Sequence, residues 1–154
     1  MSNSVGVVPS SVMDRKTAIL VAMAPANGAI HTPVQLQKLM FVLDKRKVLN
    51  KSALFRFEPY DYGPFDKVVY QELENMESSG LIAILRNPEL RWKKYRTTSA
   101  GQDAGEKALA ALGPQQGETV RRLSNFVRSL SFADLVSAIY RAYPEMQANS
   151  VFRQ

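Results

Sequence analysis

The stretch FEPYDYGPFDKVVYQELENMESSGLIAILRNPELRWKKYRTT, residues 57–98, carries the pattern on which the fold turns. Its first part, Tyr60-Asp61-Tyr62-Gly63-Pro64-Phe65, reads as a turn that opens a helix. Gly63 tolerates backbone angles that other residues avoid, and Pro64 pre-sets φ for a first helical position. Phe65, Val68, Val69, Leu73 and Met76 then recur at helical spacing and mark a buried face, and Gly80 suits the left-handed end of that helix. Leu81 to Arg86 and Arg91 to Thr97 read as two short strands joined by Asn87-Pro88-Glu89-Leu90.

Two further helices precede this segment. Ser11 with Asp14 reads as a helix start, and Ile19, Leu20 and Met23 form the stripe of a helix over 13–24, closed by Pro25 and Asn27-Gly28. Thr32-Pro33 supplies an N-cap hydroxyl and a proline at the first helical position. Leu36, Leu39, Met40 and Leu43 continue a helix over 33–43, and Leu54 to Phe57 reads as a short strand. On the C-terminal side, Ser99 with Gln102 predicts a capping box for a helix bearing Ala104, Ala108, Leu109 and Leu112. Gly113-Pro114 breaks it, Val120, Leu123, Val127 and Leu130 mark a fifth helix, and Ser131 caps a sixth that stops at Pro144.

Three helices followed by a β-hairpin is the winged-helix order. The expected fold is therefore mainly α with a small β-hairpin (α+β), a winged helix-turn-helix core with a C-terminal helical extension. Residues 1–12 are expected to be a flexible tail, 13–112 the winged-helix domain, and 113–154 the extension packed on it. A terminal helical pair covers an apolar face or builds a homodimer.

The composition narrows the chemistry. At 154 residues, 45% of them apolar, the chain suits one domain burying roughly two-thirds of the surface its unfolded form exposes. It has no cysteine and one histidine, His31, which argues against a structural zinc and leaves a Ser-His-Asp triad only His31, expected instead to hydrogen-bond locally. No phosphate-binding loop and no dinucleotide glycine fingerprint occurs, and the acid pairs have no visible cleft. No catalytic residue, metal or cofactor is expected. Met1 to Val12 lacks the pattern of a signal peptide and no run approaches a membrane span, so the cytoplasm is the expected address.

A net charge of +6 raises the prospect of a polyanionic partner. Arg86, Arg91, Lys93, Lys94 and Arg96 crowd the hairpin against Glu89 alone, with Trp92 and Tyr95 interleaved. By alternation Trp92, Lys94 and Arg96 share one face and Arg91, Lys93 and Tyr95 the other. Such a wing fits phosphates and stacks on bases, or else is a solvated edge whose charges block strand-to-strand association. Lys45, Arg46 and Lys47, with Lys51, extend a phosphate-binding band if they lie beside the wing, and otherwise form a solvated loop. The helix expected to enter a major groove argues the other way, because Asp66, Glu72, Glu74 and Glu77 outnumber Lys67 and repel phosphate. Tyr60, Tyr62, Phe65 and Tyr70 either pack the turn or form a partner-facing patch, with Glu74 beside them on the helix.

Three segments carry a family resemblance. FEPYDYGPFDKVVYQELENMESSGLI (57–82) resembles the signature of YwgA-like proteins and the related SocA-type or Panacea antitoxin domains, with its aromatic Gly-Pro turn, Tyr and Glu-Leu, then Gly and an apolar pair. LVSAIYRAYPEMQANS (135–150) resembles the C-terminal end of YwgA-like proteins, and QLQKLMFVLDK (35–45) their early helix. The resemblance implies a non-enzymatic winged-helix-like domain of bacterial toxin–antitoxin or phage-defence loci. It supplies no catalytic residues. Two roles follow: a regulator or antitoxin that binds duplex DNA through the basic wing, or a subunit that binds a toxin or defence effector through the third helix and the aromatic turn.

Overall fold

The computed structural model describes residues 13–152. Six helices and two small antiparallel hairpins follow in the order α1 (Arg15–Met23), α2 (Pro33–Lys45), β1 (Glu58–Tyr60), β2 (Gly63–Phe65), α3 (Lys67–Ser78), β3 (Ile82–Asn87), β4 (Trp92–Thr97), α4 (Ser99–Ala111), α5 (Pro114–Ser129) and α6 (Phe132–Ala142). Short 3-10 turns follow α1 and α6. The expected mainly-α architecture stands, with two hairpins where one was expected. The tail assigned to 1–12 lies outside the described residues.

α1 is the axis of the core. Ala18 through Met23 are all buried, and the helix packs on α3, α4 and α5. A helix apolar all round survives only where neighbours enclose it. α2 runs beside it, buried from Leu36 through Leu43, and packs on α5, α6 and β2. The C-terminal helices thus cover the same core as the first three.

The helix starts show which capping signals hold. Thr32 and Gln35 close a reciprocal capping box on α2, with Pro33 next to the cap as expected. Ser131 accepts from the Asp134 N–H at 3.1 Å. For α1, Asp14 itself is the cap, accepting from the Thr17 N–H at 2.7 Å; Ser11 lies outside the described residues. For α4 the cap moves one residue, because the Thr98 hydroxyl accepts from the Gly101 N–H while donating to the Gly80 carbonyl. The fully buried stripe of α4 is Gly101, Gly105 and Leu109, with Ala108 and Leu112 half-buried against the core as expected and Ala104 exposed. Close approach is the reason: a Cβ on Gly105 would lie 2.6 Å from the Leu20 carbonyl oxygen of α1, and one on Gly101 would overlap the Leu81 carbonyl.

Two strand expectations are corrected. Residues 54–57 form no strand, because carboxylates take the backbone donors a neighbouring strand would need. Asp44 accepts from the N–H groups of Leu54 and Phe55 at 2.8 and 3.1 Å, and Asp66 from that of Arg56 at 2.7 Å. The Gly-Pro turn does not open α3 either. It closes a hairpin in which Glu58 pairs with Phe65 and Tyr60 with Gly63, and Asp66 then caps α3 by accepting from Val68. Phe65 therefore sits on β2, and Val69, Leu73 and Met76 form the fully buried face of α3. Its end is as expected: Gly80 has φ +82°, with the Leu81 and Gly80 N–H groups returning to the carbonyls of Met76 and Glu77.

The second hairpin pairs Ile82 with Thr97 through Asn87 with Trp92. His31, just ahead of α2, adds a bridge to Tyr95 through two backbone hydrogen bonds of 2.7 and 2.9 Å. The α2 start is thereby fastened to the root of this hairpin. The His31 side chain is fully buried; the expected local partner is the Ala29 carbonyl, at a geometry short of a well-formed hydrogen bond. Burial, then the charge of Arg128, push its pKa down to about 4, although the nearby Ala29 carbonyl favours the proton.

Candidate functional site

The site grows from two polar residues in a helix that has no exposed middle. Gln37 and Lys38 lie within the buried run of α2. Gln37 resolves its burial by pairing its amide with the backbone of Asp66, donating to the carbonyl at 2.9 Å and accepting from the N–H at 3.0 Å. Lys38 is different. Its side chain is part of a residue only 3% exposed, its Nζ donates to the Pro64 carbonyl at 3.2 Å, and no carboxylate among the described residues forms an ion pair with it. Burial pushes its pKa down to about 8. At neutral pH it is a buried cation with one of three donors matched to protein.

The aromatic turn covers this cation. Gly63, at φ +101°, comes so close that a Cβ there would meet Tyr140 at 3.3 Å and the Lys38 Cε at 3.6 Å. The position requires glycine on both counts. Val34, Tyr60, Tyr62, Phe65 and Tyr70 join Lys38 around a half-open cavity of about 240 Å³. The rings form a connected set: Tyr60 on Phe65 at 4.8 Å, Phe65 edge-on to Tyr70 at 5.5 Å, and Tyr70 stacked over Tyr95 at 6.2 Å. The Tyr70 hydroxyl is held neutral, its pKa pushed up to about 12 by burial and by Tyr95 against a hydrogen bond to Gln37. Tyr60 and Tyr62 remain 50% and 42% exposed.

The C-terminal segment straps the turn in place. Tyr140 donates to the Ser150 hydroxyl at 2.7 Å, and Ser150 reaches the Asp61 carbonyl at 3.3 Å. The Val151 N–H bonds the same carbonyl at 2.9 Å, and Asn149 donates to the Pro59 carbonyl at 3.0 Å. Phe132, at the start of α6, meets Tyr62 edge-on at 5.2 Å and is itself 44% exposed. Two segments far apart in sequence, 57–65 and 132–151, therefore build one surface.

The residues of the β3–β4 hairpin divide by face as alternation requires. Tyr95 is buried inward, and Lys93 on the same side binds Glu74 of α3 at 3.1 Å. Arg86, paired with Lys93 in the strand register, binds Glu77 through both guanidinium ends at 2.8 and 2.9 Å. Glu72 takes Lys16 of α1 at 2.9 Å, and Asp66 is the cap. The acids of α3 are thus matched by bases of its neighbours, so the acidic helix and the basic β3–β4 hairpin largely neutralise each other where they face. Glu74 belongs to this contact and not to the aromatic cavity. Trp92, Lys94 and Arg96 lie outward; the Lys94 ammonium sits 4.9 Å from the Trp92 ring centre. Arg91, exposed at the turn with φ +57°, completes the set that has no carboxylate partner among the described residues.

Lys45, Arg46 and Lys47 lie at the opposite end of α2 from the root of the β3–β4 hairpin. Lys45 ends α2 and Arg46 and Lys47 follow it, while the start of α2 is bound to the hairpin root, and thirteen residues of helix span about 20 Å. Lys45 and Lys47 instead edge a shallow hollow with Phe41, Phe55, Phe57 and Met146.

Sequence reasoning brought Tyr60, Tyr62, Phe65 and Tyr70 together correctly but missed Lys38, Gln37, Phe132 and the Tyr140–Ser150 contact. A signal for Lys38 was present: the run Leu39-Met40-Phe41-Val42-Leu43 announces a helix buried all round, which leaves an adjacent lysine no solvent face. Neither a protein-family model nor a curated protein matches the chain. No helix among the described residues is long and apolar enough to cross a membrane.

Proposed function

We propose that this chain is a winged-helix protein-binding module that acts by association and not by catalysis, with the aromatic turn as its contact surface. The observation that carries the reading is the exposure of Tyr60 and Tyr62 at the cavity that Lys38 lines, with the exposed Phe132 edge-on to Tyr62 beside it. Large rings held rigid at the rim of a partly desolvated pocket are the chemistry of interface hot spots. Three helices ahead of the β3–β4 hairpin, with the β1–β2 hairpin set before the third, and the His31–Tyr95 bridge support the winged-helix assignment. The resemblance of 57–82 and 135–150 to antitoxin domains points to a toxin or defence effector as partner. Co-expression with the products of neighbouring genes tests the reading. Tyr62→Ser with Phe132→Ser abolishes co-purification if it is right, and unchanged co-purification refutes it.

A second reading, DNA binding, is favoured by the outward Trp92, Lys94 and Arg96 with Arg91 at the tip. On this reading the wing makes the phosphate contacts, because the carboxylates of α3 leave that helix no attraction for DNA. Fluorescence anisotropy on duplex DNA at about 50 and 200 mM salt would detect it as steeply salt-sensitive binding. Lys94→Glu with Arg96→Glu abolishes such binding, and intact binding in that variant removes the wing from the account.

A further inference from the structure

We propose that the Lys38 cavity receives the C-terminal carboxylate of a partner polypeptide whose last residue is apolar. The inference rests on the protein-binding reading of the same surface and makes it specific. Its ground is an unmet demand. An ammonium removed from water needs a counter-charge or a full set of acceptors, and Lys38 has the Pro64 carbonyl alone. Gln37, its neighbour in sequence, spends its side-chain carbonyl on the Asp66 N–H and gives Lys38 no acceptor.

Size and lining choose the ligand. A cavity of about 240 Å³ lies below the roughly 300–1,000 Å³ of small-molecule sites and matches one residue-sized group. Its walls are Val34, Gly63 and the rings of Tyr60, Tyr62, Phe65 and Tyr70, with Gln37 and Asp61 as the polar members of the lining, so the body of the group is apolar. A chain end with an apolar side chain carries a carboxylate and an apolar body on one residue. An internal aspartate or glutamate presents its carboxylate on bare methylenes while its backbone continues in both directions, and fills the same walls poorly. Asp61 on the rim is exposed and does not pair with Lys38, so the ammonium remains available.

The test uses the full chain and three synthetic peptides: one ending in a free phenylalanine carboxylate, the same peptide amidated, and an amidated peptide with an internal glutamate. Binding is followed by NMR shifts at Gly63, Tyr70 and Val34. The expected result is binding of the free acid, with amidation weakening it by about tenfold or more, as loss of a charge-assisted contact implies. Lys38→Met weakens the acid similarly and erases the difference between acid and amide. Equal binding of acid and amide, discrimination that survives Lys38→Met, equal binding of the glutamate peptide, or no shifts at millimolar peptide each overturns the proposal. Thermal unfolding of the variant separates loss of binding from loss of fold. If a partner protein still binds Lys38→Met fully but is lost with Tyr62→Ser and Phe132→Ser, the carboxylate inference falls while the protein-binding reading stands.

Discussion

Replacing Lys38 with methionine exchanges a buried cation for an apolar chain of similar length, and the protein is expected to become more stable. Burial lowers the lysine pKa from 10.5 to about 8, and each pKa unit corresponds to about 1.4 kcal/mol, so the charged form costs about 3 kcal/mol on folding. Methionine leaves the Pro64 carbonyl without its donor, which costs about 1 kcal/mol. The net gain at pH 7 is about 2 kcal/mol, or a Tm rise of about 4–8 °C for a domain of this size. The gap depends on pH in a defined way. Between pH 8 and 10.5 the unfolded chain still holds the lysine proton that the folded chain has released, so the wild type gains stability as pH rises. The variant lacks that gain, and the gap between the two proteins closes. Raised tyrosine pKa values at Tyr70 and Tyr95 affect both proteins alike and cancel in the difference. Urea unfolding of both proteins at pH 7 and pH 10 measures the gap. A variant less stable than wild type at pH 7, or a gap unchanged at pH 10, refutes the reasoning.

Other expectations follow from single contacts. His31, whose pKa falls from 6.5 to about 4, is protonated more readily in the unfolded chain, so stability drops by about 3 kcal/mol on acidification from pH 7 to 4; in His31→Leu the drop shrinks by that amount, and an identical acid profile would contradict the assignment. Gly105→Ala forces α4 off the Leu20 carbonyl and is expected to destabilise by about 1–3 kcal/mol in denaturant titration, whereas a neutral or stabilising effect would mean the helices separate freely. Tyr140→Phe removes the bond to Ser150 and about 1 kcal/mol with it. Amide exchange at Val151 should accelerate in that variant, and unchanged exchange would show that the strap holds without it.

Much of this molecule is written in local signals. The α2 start, the α3 end, the wing strands and the Ser131 cap are all set by residues within a few positions of one another. What local reading misassigns depends on distant partners. Leu54 to Phe57 has strand composition, yet Asp44 and Asp66 take its donors. Gly63-Pro64 has the form of a helix opening, but the hairpin with Glu58 to Tyr60 claims it first, and Asp66 is left as the cap. The acidic α3 and the basic wing read as opposing fields in one dimension and as ion pairs in three, because Glu74 and Glu77 lie across from Lys93 and Arg86. Lys38 was the least visible. Its role depends on β2 and α6 closing over it, and nothing within a helical turn of Lys38 encodes that closure.

Three proteins compared against one partner decide whether the aromatic surface is the contact. Wild type, Tyr62→Ser with Phe132→Ser, and Lys94→Glu with Arg96→Glu are each measured by calorimetry against the partner protein identified by co-expression. The aromatic variant should lose about thirtyfold or more in affinity, the loss expected of hot-spot side chains, while the wing variant binds as wild type does. The reverse outcome, loss with the wing variant and full binding by the aromatic one, would contradict the account.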